Sequence, residues 1–178
     1  MSLTTIGPGD NIPHSCSVVI EISADAPPVK YEVDKDSGLL MVDRILTTSM
    51  QYPANYGYVP QTLCPDNDPL DIVLLSLYPI VPGAVVEARV IGQLMMEDEA
   101  GEDFKVLAVP VDSVCPFSVN IRALEDVPVA TLAKIEHFFR HYKDLDEGKW
   151  VRLDGWRDEK VARQSLTDSV DCYRRSLD

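Results

Sequence analysis

The hydrophobic period of this chain changes about two thirds of the way along, and that change limits the architectures open to it. Up to about residue 111 the apolar residues alternate or fall in short runs, with Pro and Gly between them. Ser17 to Ser23 alternates, placing Val18, Ile20 and Ile22 on one face of a strand. Val29 to Val33 alternates too, setting Lys30 and Glu32 together opposite Val29, Tyr31 and Val33. Further strands are predicted at 39–42, 72–77, 84–95 and 104–111, and thirteen prolines suit such a loop-rich β architecture. Beyond that point Leu132, Ile135, Phe138 or Phe139, and Tyr142 recur at three- and four-residue steps. The spacing predicts a helix over about 127–143, with Asp126 as N-cap and Pro128 in the first turn. A second helix is expected over about 158–175, with Val161, Leu166, Val170 and Tyr173 on one side. Strands followed by two helices give an α+β fold, mainly β: a small barrel or curled sheet with helices outside.

The 178 residues suit one domain with a real core. No apolar run approaches the ~20 residues of a membrane span, and the first twenty residues lack a secretion signal, so a cytoplasmic protein is expected. Cys16, Cys64, Cys115 and Cys172 are scattered without metal-ligand spacing and read as reduced structural residues. A net charge of −13 argues against nucleic acid or an anionic membrane as partner. A small anion remains open if metal ions stand between it and the acids.

Three clusters carry candidate chemistry. Asp66-Asn67-Asp68-Pro69-Leu70-Asp71 puts three carboxylates in six residues ahead of a strand-like run. Two charges about 4 Å apart repel by roughly 4 kcal/mol at an effective dielectric near 20. A fold that converges them must protonate some, fan them into water, or place a cation between them, and hard divalent ions suit an all-oxygen set. Pro69 breaks the strand geometry, so a turn could aim all three at one point. In Glu97-Asp98-Glu99-Ala100-Gly101-Glu102-Asp103-Phe104-Lys105, Gly101 permits a tight turn joining Asp98 to Asp103, with Lys105 on the face of Asp103. Lys30 and Glu32, with Glu21 on a neighbouring strand, form the third. A solvated turn or a wet sheet face accounts for any one of them taken alone.

EF-hand spacing fails at both acidic segments, and neither a nucleophile elbow nor a Gly-rich phosphate loop is present. His137 and His141 stand four apart without the HExxH pattern, which favours surface or interface histidines. Arg44, Lys30, Lys105, Lys143 and the hydroxyls of Tyr52–Tyr58 are the groups that phosphate recognition asks for, once metals neutralise the remaining charge. Ordinary β packing with a turn accounts for the tyrosines as well.

DNDPLD (66–71), VVIEI (18–22), KYEVDKDSG (30–38), VDR (42–44), YPANYGYVP (52–60), DEAGED (98–103) and HYKDL (141–145) occur in one order and spacing. Together they resemble a soluble family I inorganic pyrophosphatase of the bacterial type across nearly the whole length, as a single domain over 1–178. The likeness is weakest at 111–122 and in the C-terminal helix, and Glu97 adds an acid where an uncharged residue is expected. The resemblance implies an OB-like five-stranded β-barrel flanked by two α-helices, hydrolysing pyrophosphate to two phosphates with a metal-bridging water or hydroxide as nucleophile. It implies three to four magnesium ions per site with substrate, with Mn2+ or Zn2+ as substitutes. Asp66, Asp71 and Asp103 would ligate one ion, Asp71 also a second, Asp98 and Asp103 one carried by substrate, and Glu32 a fourth. Asp68 would be the general base and Tyr56 its neighbour at the nucleophile. Lys30, Arg44, Tyr142 and Lys143 would bind phosphoryl oxygens, with Glu21, Tyr52, Lys105 and Glu99 in support. It further implies a homohexamer, a dimer of trimers, with His141 and Asp144 at subunit contacts. An OB-like nucleic-acid or carbohydrate module, and an acidic metal-storing protein with a dead site, are the competing readings.

Overall fold

The computed structural model describes residues 5–34 and 36–177. Lys35, within the KYEVDKDSG stretch, lies outside the described residues. Among the described residues, eight strands and two long helices follow in order: β1 (Ser15–Ile22), β2 (Val29–Val33), β3 (Leu40–Ile45), β4 (Asn55–Val59), β5 (Leu70–Leu74), β6 (Val85–Asp98), β7 (Gly101–Pro110), α1 (Val129–His141), β8 (Val151–Arg157) and α2 (Glu159–Arg175).

Five strands close on themselves in the order β1-β4-β5-β7-β6 and back to β1, antiparallel except for the β5–β7 pair. Strand β6 makes closure possible. Its first part, Val85 to Arg89, pairs with β1, while Gln93 to Asp98 on the same edge pairs with β8. β7 follows its other edge. This is the expected five-stranded barrel, with β2 and β3 as a separate two-stranded ribbon. Gly57 allows β4 to lie close against β1, since a Cβ there would stand 1.9 Å from the Val19 carbonyl oxygen.

Two bulges decide which side chains face which core. In β1 the register skips at Glu21, so Val18 and Ile20 join the core under α2 while Ile22 joins the core under α1. The expected single face of Val18, Ile20 and Ile22 is corrected there. In β6 a skip between Val90 and Gly92 does the same: Val86, Ala88 and Val90 pack with α2, and Ile91, Leu94 and Met96 with α1.

Helix α1 buries Ile135, Phe138 and Phe139, as its periodicity predicts. Its start differs from expectation. Asp126 instead accepts from the backbone N–H groups of Arg122 (2.8 Å) and Ala123 (3.0 Å), closing a preceding 3-10 turn, and Pro128 occupies the cap. Helix α2 is capped by Asp158, which accepts from Lys160 N and Val161 N at 3.1 and 3.0 Å, and its last turn holds Arg174 and Arg175 against the helix dipole. Its buried face is Ala162, Leu166, Ser169 and Val170, so Val161 stands one position off the core and is 42% exposed.

The 111–122 segment is held by Arg89, whose guanidinium donates to the carbonyls of Ser118 and Ile121, each at 2.9 Å, and to Asp112 at 3.0 Å. Glu97 pairs with Arg152 opposite it on β8. The four cysteines carry free thiols. Among the described residues, no helix is long and apolar enough to cross a membrane.

Candidate active site

A cavity of about 510 Å³ opens beside the ring. The acidic turn reaches it from the β4–β5 connection, where Asp66 Oδ1 accepts from Asp68 N at 3.0 Å and Asn67 takes a left-handed φ of 69°. Pro69 ends the turn, and Asp71 is already inside β5, opposite Tyr58 of β4. The second acidic segment is the β6–β7 hairpin itself rather than a loop, with Asp98 opposite Gly101 and Met96 opposite Asp103. Gly101 turns it at φ 124°, a value that L side chains rarely adopt. Lys30 and Glu32 enter from β2, Arg44 from β3, and Tyr142 with Lys143 from the end of α1.

All of the sequence-predicted site residues line this cavity except Glu99, which reaches it through Lys143 at 3.3 Å and is braced by Lys149 at 2.6 Å. Sequence reasoning missed Asp43, the extra residue of the β2–β3 bulge, which stands 3.2 Å from Lys30. It gave no role to Thr62, Tyr173 and Ser176 on the walls, and named Tyr58 only within the Tyr52–Tyr58 hydroxyls. Asp43, inside the VDR motif, and Tyr58, inside YPANYGYVP, carried a signal. In the sequence Tyr173 reads as a packing residue of the second helix.

Ammonium groups stand among the acids. Lys105, buried to 6% exposure, places Nζ 2.5 Å from Asp71 Oδ2 and 2.7 Å from Asp103 Oδ2. Burial opposes its charge, but those two carboxylates outweigh burial and hold its pKa well above the usual lysine value. Burial lifts Asp103 despite the lysine, with Asp71 adding to the rise. Lys143 is bound at 2.7 Å to Asp98, and Lys30 to Glu32. Glu21 accepts from Val33 N at 2.7 Å, yet burial raises its pKa to about 8. The Tyr56 phenol is pushed up by burial and then by Asp71.

Among the described residues no three carboxylates, thiols or imidazoles already meet in a metal-binding group. The donor set nonetheless fits hard cations, being all carboxylate, with Asp71 and Asp103 already drawn together around a positive charge. Arg44 adds a feature suited to an anion. Its Nε is buried with no hydrogen-bond partner among the described residues, and Asp43 Oδ2 stands 3.8 Å away. A cavity lined by acids interleaved with unsatisfied or exchangeable cations can hold a polyanion together with divalent ions.

The comparisons with known proteins agree. The family model described as inorganic pyrophosphatase matches residues 18–174. The inorganic pyrophosphatase of Xylella fastidiosa (strain 9a5c) is 50% identical over 177 residues, covering 99% of each chain. That of Xanthomonas axonopodis pv. citri is 51% identical over 173 residues, with 97% of each covered. The crystal structure of the Thermus thermophilus inorganic pyrophosphatase superposes with a TM-score of 0.92 at 41% identity, covering 98% of this chain and 99% of that one. The fold is therefore that of a pyrophosphatase barrel, and the chain belongs to the inorganic pyrophosphatase family.

Proposed function

We propose a division of labour for the hydrolysis of inorganic pyrophosphate to two phosphates, the reaction that makes this chain an inorganic diphosphatase. Magnesium is the cofactor in this reading, at three to four ions per site with substrate, and Mn2+ or Zn2+ substitute for it. Asp66, Asp71 and Asp103 would hold one ion and Asp71 also a second. Asp98 and Asp103 would hold one that arrives with substrate, and Glu32 would lie near a fourth. Bound there, such ions would offset phosphate charge and make water beside them more acidic than bulk.

The side chains do the rest. Asp68, exposed at the head of the turn, takes the proton from the attacking water at its carboxylate. Tyr56, kept protonated by burial, donates a hydrogen bond beside that water and holds Asp71. Arg44 offers its unpartnered Nε–H to a phosphoryl oxygen. Lys30, Tyr142 and Lys143 bind the others, the two ammonium groups turning from their resident carboxylates when substrate enters. Phosphoryl transfer asks a protein mainly for placement and charge stabilisation, so the lack of a Ser, Cys or His nucleophile costs nothing. Glu21 and Tyr52 pack beneath these groups, and Glu99 holds Lys143.

The observation that carries this reading is the meeting of the acidic turn, the acidic hairpin and the side chains of Lys30, Arg44, Tyr142 and Lys143 in one cavity. It is tested by phosphate release from pyrophosphate with magnesium and then with chelator. Release should require the metal, and release that ignores chelator would refute the metal roles.

The same reading extends to a cytoplasmic homohexamer built as a dimer of trimers. His141 Nδ1 lies 2.7 Å from Asp144 Oδ2 at the surface end of α1, where a neighbouring subunit would meet it. Analytical ultracentrifugation tests the assembly, and a monomer would end that part of the proposal.

A further inference from the structure

We propose that Thr62, whose hydroxyl is taken up by two backbone groups at the cavity wall, is a positioning residue for the acidic turn, acting on the metal-binding carboxylates through the backbone rather than as a ligand. The inference rests on the roles given above to Asp66 and Asp71. The segment that carries Asp66 and Asp68 leaves the sheet at Val59 and re-enters it at Leu70. One atom fastens both ends. Thr62 Oγ1 donates to the Val59 carbonyl at 2.5 Å and accepts from Leu70 N at 2.8 Å.

All three residues are buried, Thr62 to 3% exposure and Val59 and Leu70 to 0%. Loss of the hydroxyl would therefore take its partner from a buried donor and a buried acceptor. Asp71 directly follows the amide that the hydroxyl holds, so the clasp fixes where its carboxylate begins. On the outer side, Cys64 N donates to Asp68 O at 2.8 Å and Asn67 N to Cys64 O at 3.0 Å, which makes the turn a stiff unit hanging from the clasp. Leu63 N donates to Ser169 O of α2 at 2.9 Å and sets its lean. Rotation of that unit by a few degrees at Thr62 would move the Asp66 carboxylate away from Asp71.

The test uses the full chain and magnesium alone as probe. Thr62→Val keeps the shape and removes the hydroxyl, and Thr62→Ser keeps the hydroxyl. By calorimetry without substrate, Thr62→Val should bind magnesium about tenfold more weakly, the lower end of the effect of losing a supporting hydrogen bond behind metal ligands. Thr62→Ser should stay near wild type. A purely structural role would lower the melting temperature and leave the isotherm of the folded protein in place. In the unaltered protein, the Leu70 amide should exchange with solvent as slowly as the core strands, a requirement that can fail even if Thr62→Val does not fold. Fast exchange at Leu70, an unchanged isotherm for Thr62→Val, or a Thr62→Ser defect as large as that of Thr62→Val each overturns the proposal. Asp66→Asn separates this from the underlying reading. If it leaves magnesium affinity intact, the ligand assignment fails; if it weakens binding while Thr62→Val does not, only the clasp fails.

Discussion

Replacing Lys105 by methionine should destabilise the metal-free protein far more than the magnesium-loaded one. The lysine side chain is 8% exposed, and its Nζ sits 2.5 Å from Asp71 and 2.7 Å from Asp103. Methionine fills a similar volume and removes the charge, so the change is electrostatic rather than steric. Two carboxylates then face each other without a counter-charge, and breaking a buried ionic group in this way costs about 3–5 kcal/mol. For a chain of this size each kcal/mol moves the melting temperature by about 2–4 °C, which sets the expected loss at about 6–20 °C in chelator. Divalent ions held by the same carboxylates should take over the neutralising role, so added magnesium should narrow the gap between variant and wild type. Thermal melts of both proteins, in chelator and across a magnesium titration, read this directly. A gap that stays constant with magnesium would show that Lys105 does not share its place with the metal. No loss in chelator would refute the electrostatic argument altogether.

Asp68→Ala should lower turnover by roughly 10²–10⁴-fold, the range for a lost acid–base group, and near wild-type phosphate release would remove it from the base role. Burial raises Glu21 from its ordinary 4.5 to about 8, so across that window the folded protein keeps a proton that the unfolded chain has lost. The contribution of Glu21 to stability should therefore fall as pH rises from 4.5 towards 8. Glu21→Gln should remove that slope in denaturant midpoints measured on either side of the window, and an unchanged slope would show that Glu21 is ionised when folded. Gly57→Ala should cost at least about 1–3 kcal/mol by overpacking, because its Cβ meets the Val19 carbonyl oxygen at 1.9 Å; an unaltered urea midpoint would contradict the β1–β4 approach.

The helices were legible because their apolar spacing is local. Ile135, Phe138 and Phe139 face the core where periodicity puts them. The residues that line the cavity were gathered by ordered motifs, and Gly101 announced the hairpin that carries Asp98 and Asp103. What escaped was set by partners distant in sequence. Strand β8 offers only Val151, Leu153 and Trp156 as apolar residues, and it exists because the outer half of β6 needs an edge partner and because Trp156 Nε1 donates to Glu136 of α1 at 2.6 Å. The bulge at Glu21 is invisible in an alternating pattern, since Ile22 is apolar in either register. Thr62 sits in no motif whose chemistry demands it, and Tyr173 looked like core until α2 placed it against the cavity.

The way β6 closes the ring also has a temporal side. Closure joins strands distant in sequence, with Arg89 of β6 paired to Ser15 of β1. Pairing across such separations is slow, because the entropy of closing the chain precedes any contact that rewards it. The cavity then draws on groups from Glu21 to Ser176. Turnover during refolding should therefore appear after the circular-dichroism signal of the strands and helices is complete. On the ribosome, the enzyme would be silent until α2 emerges.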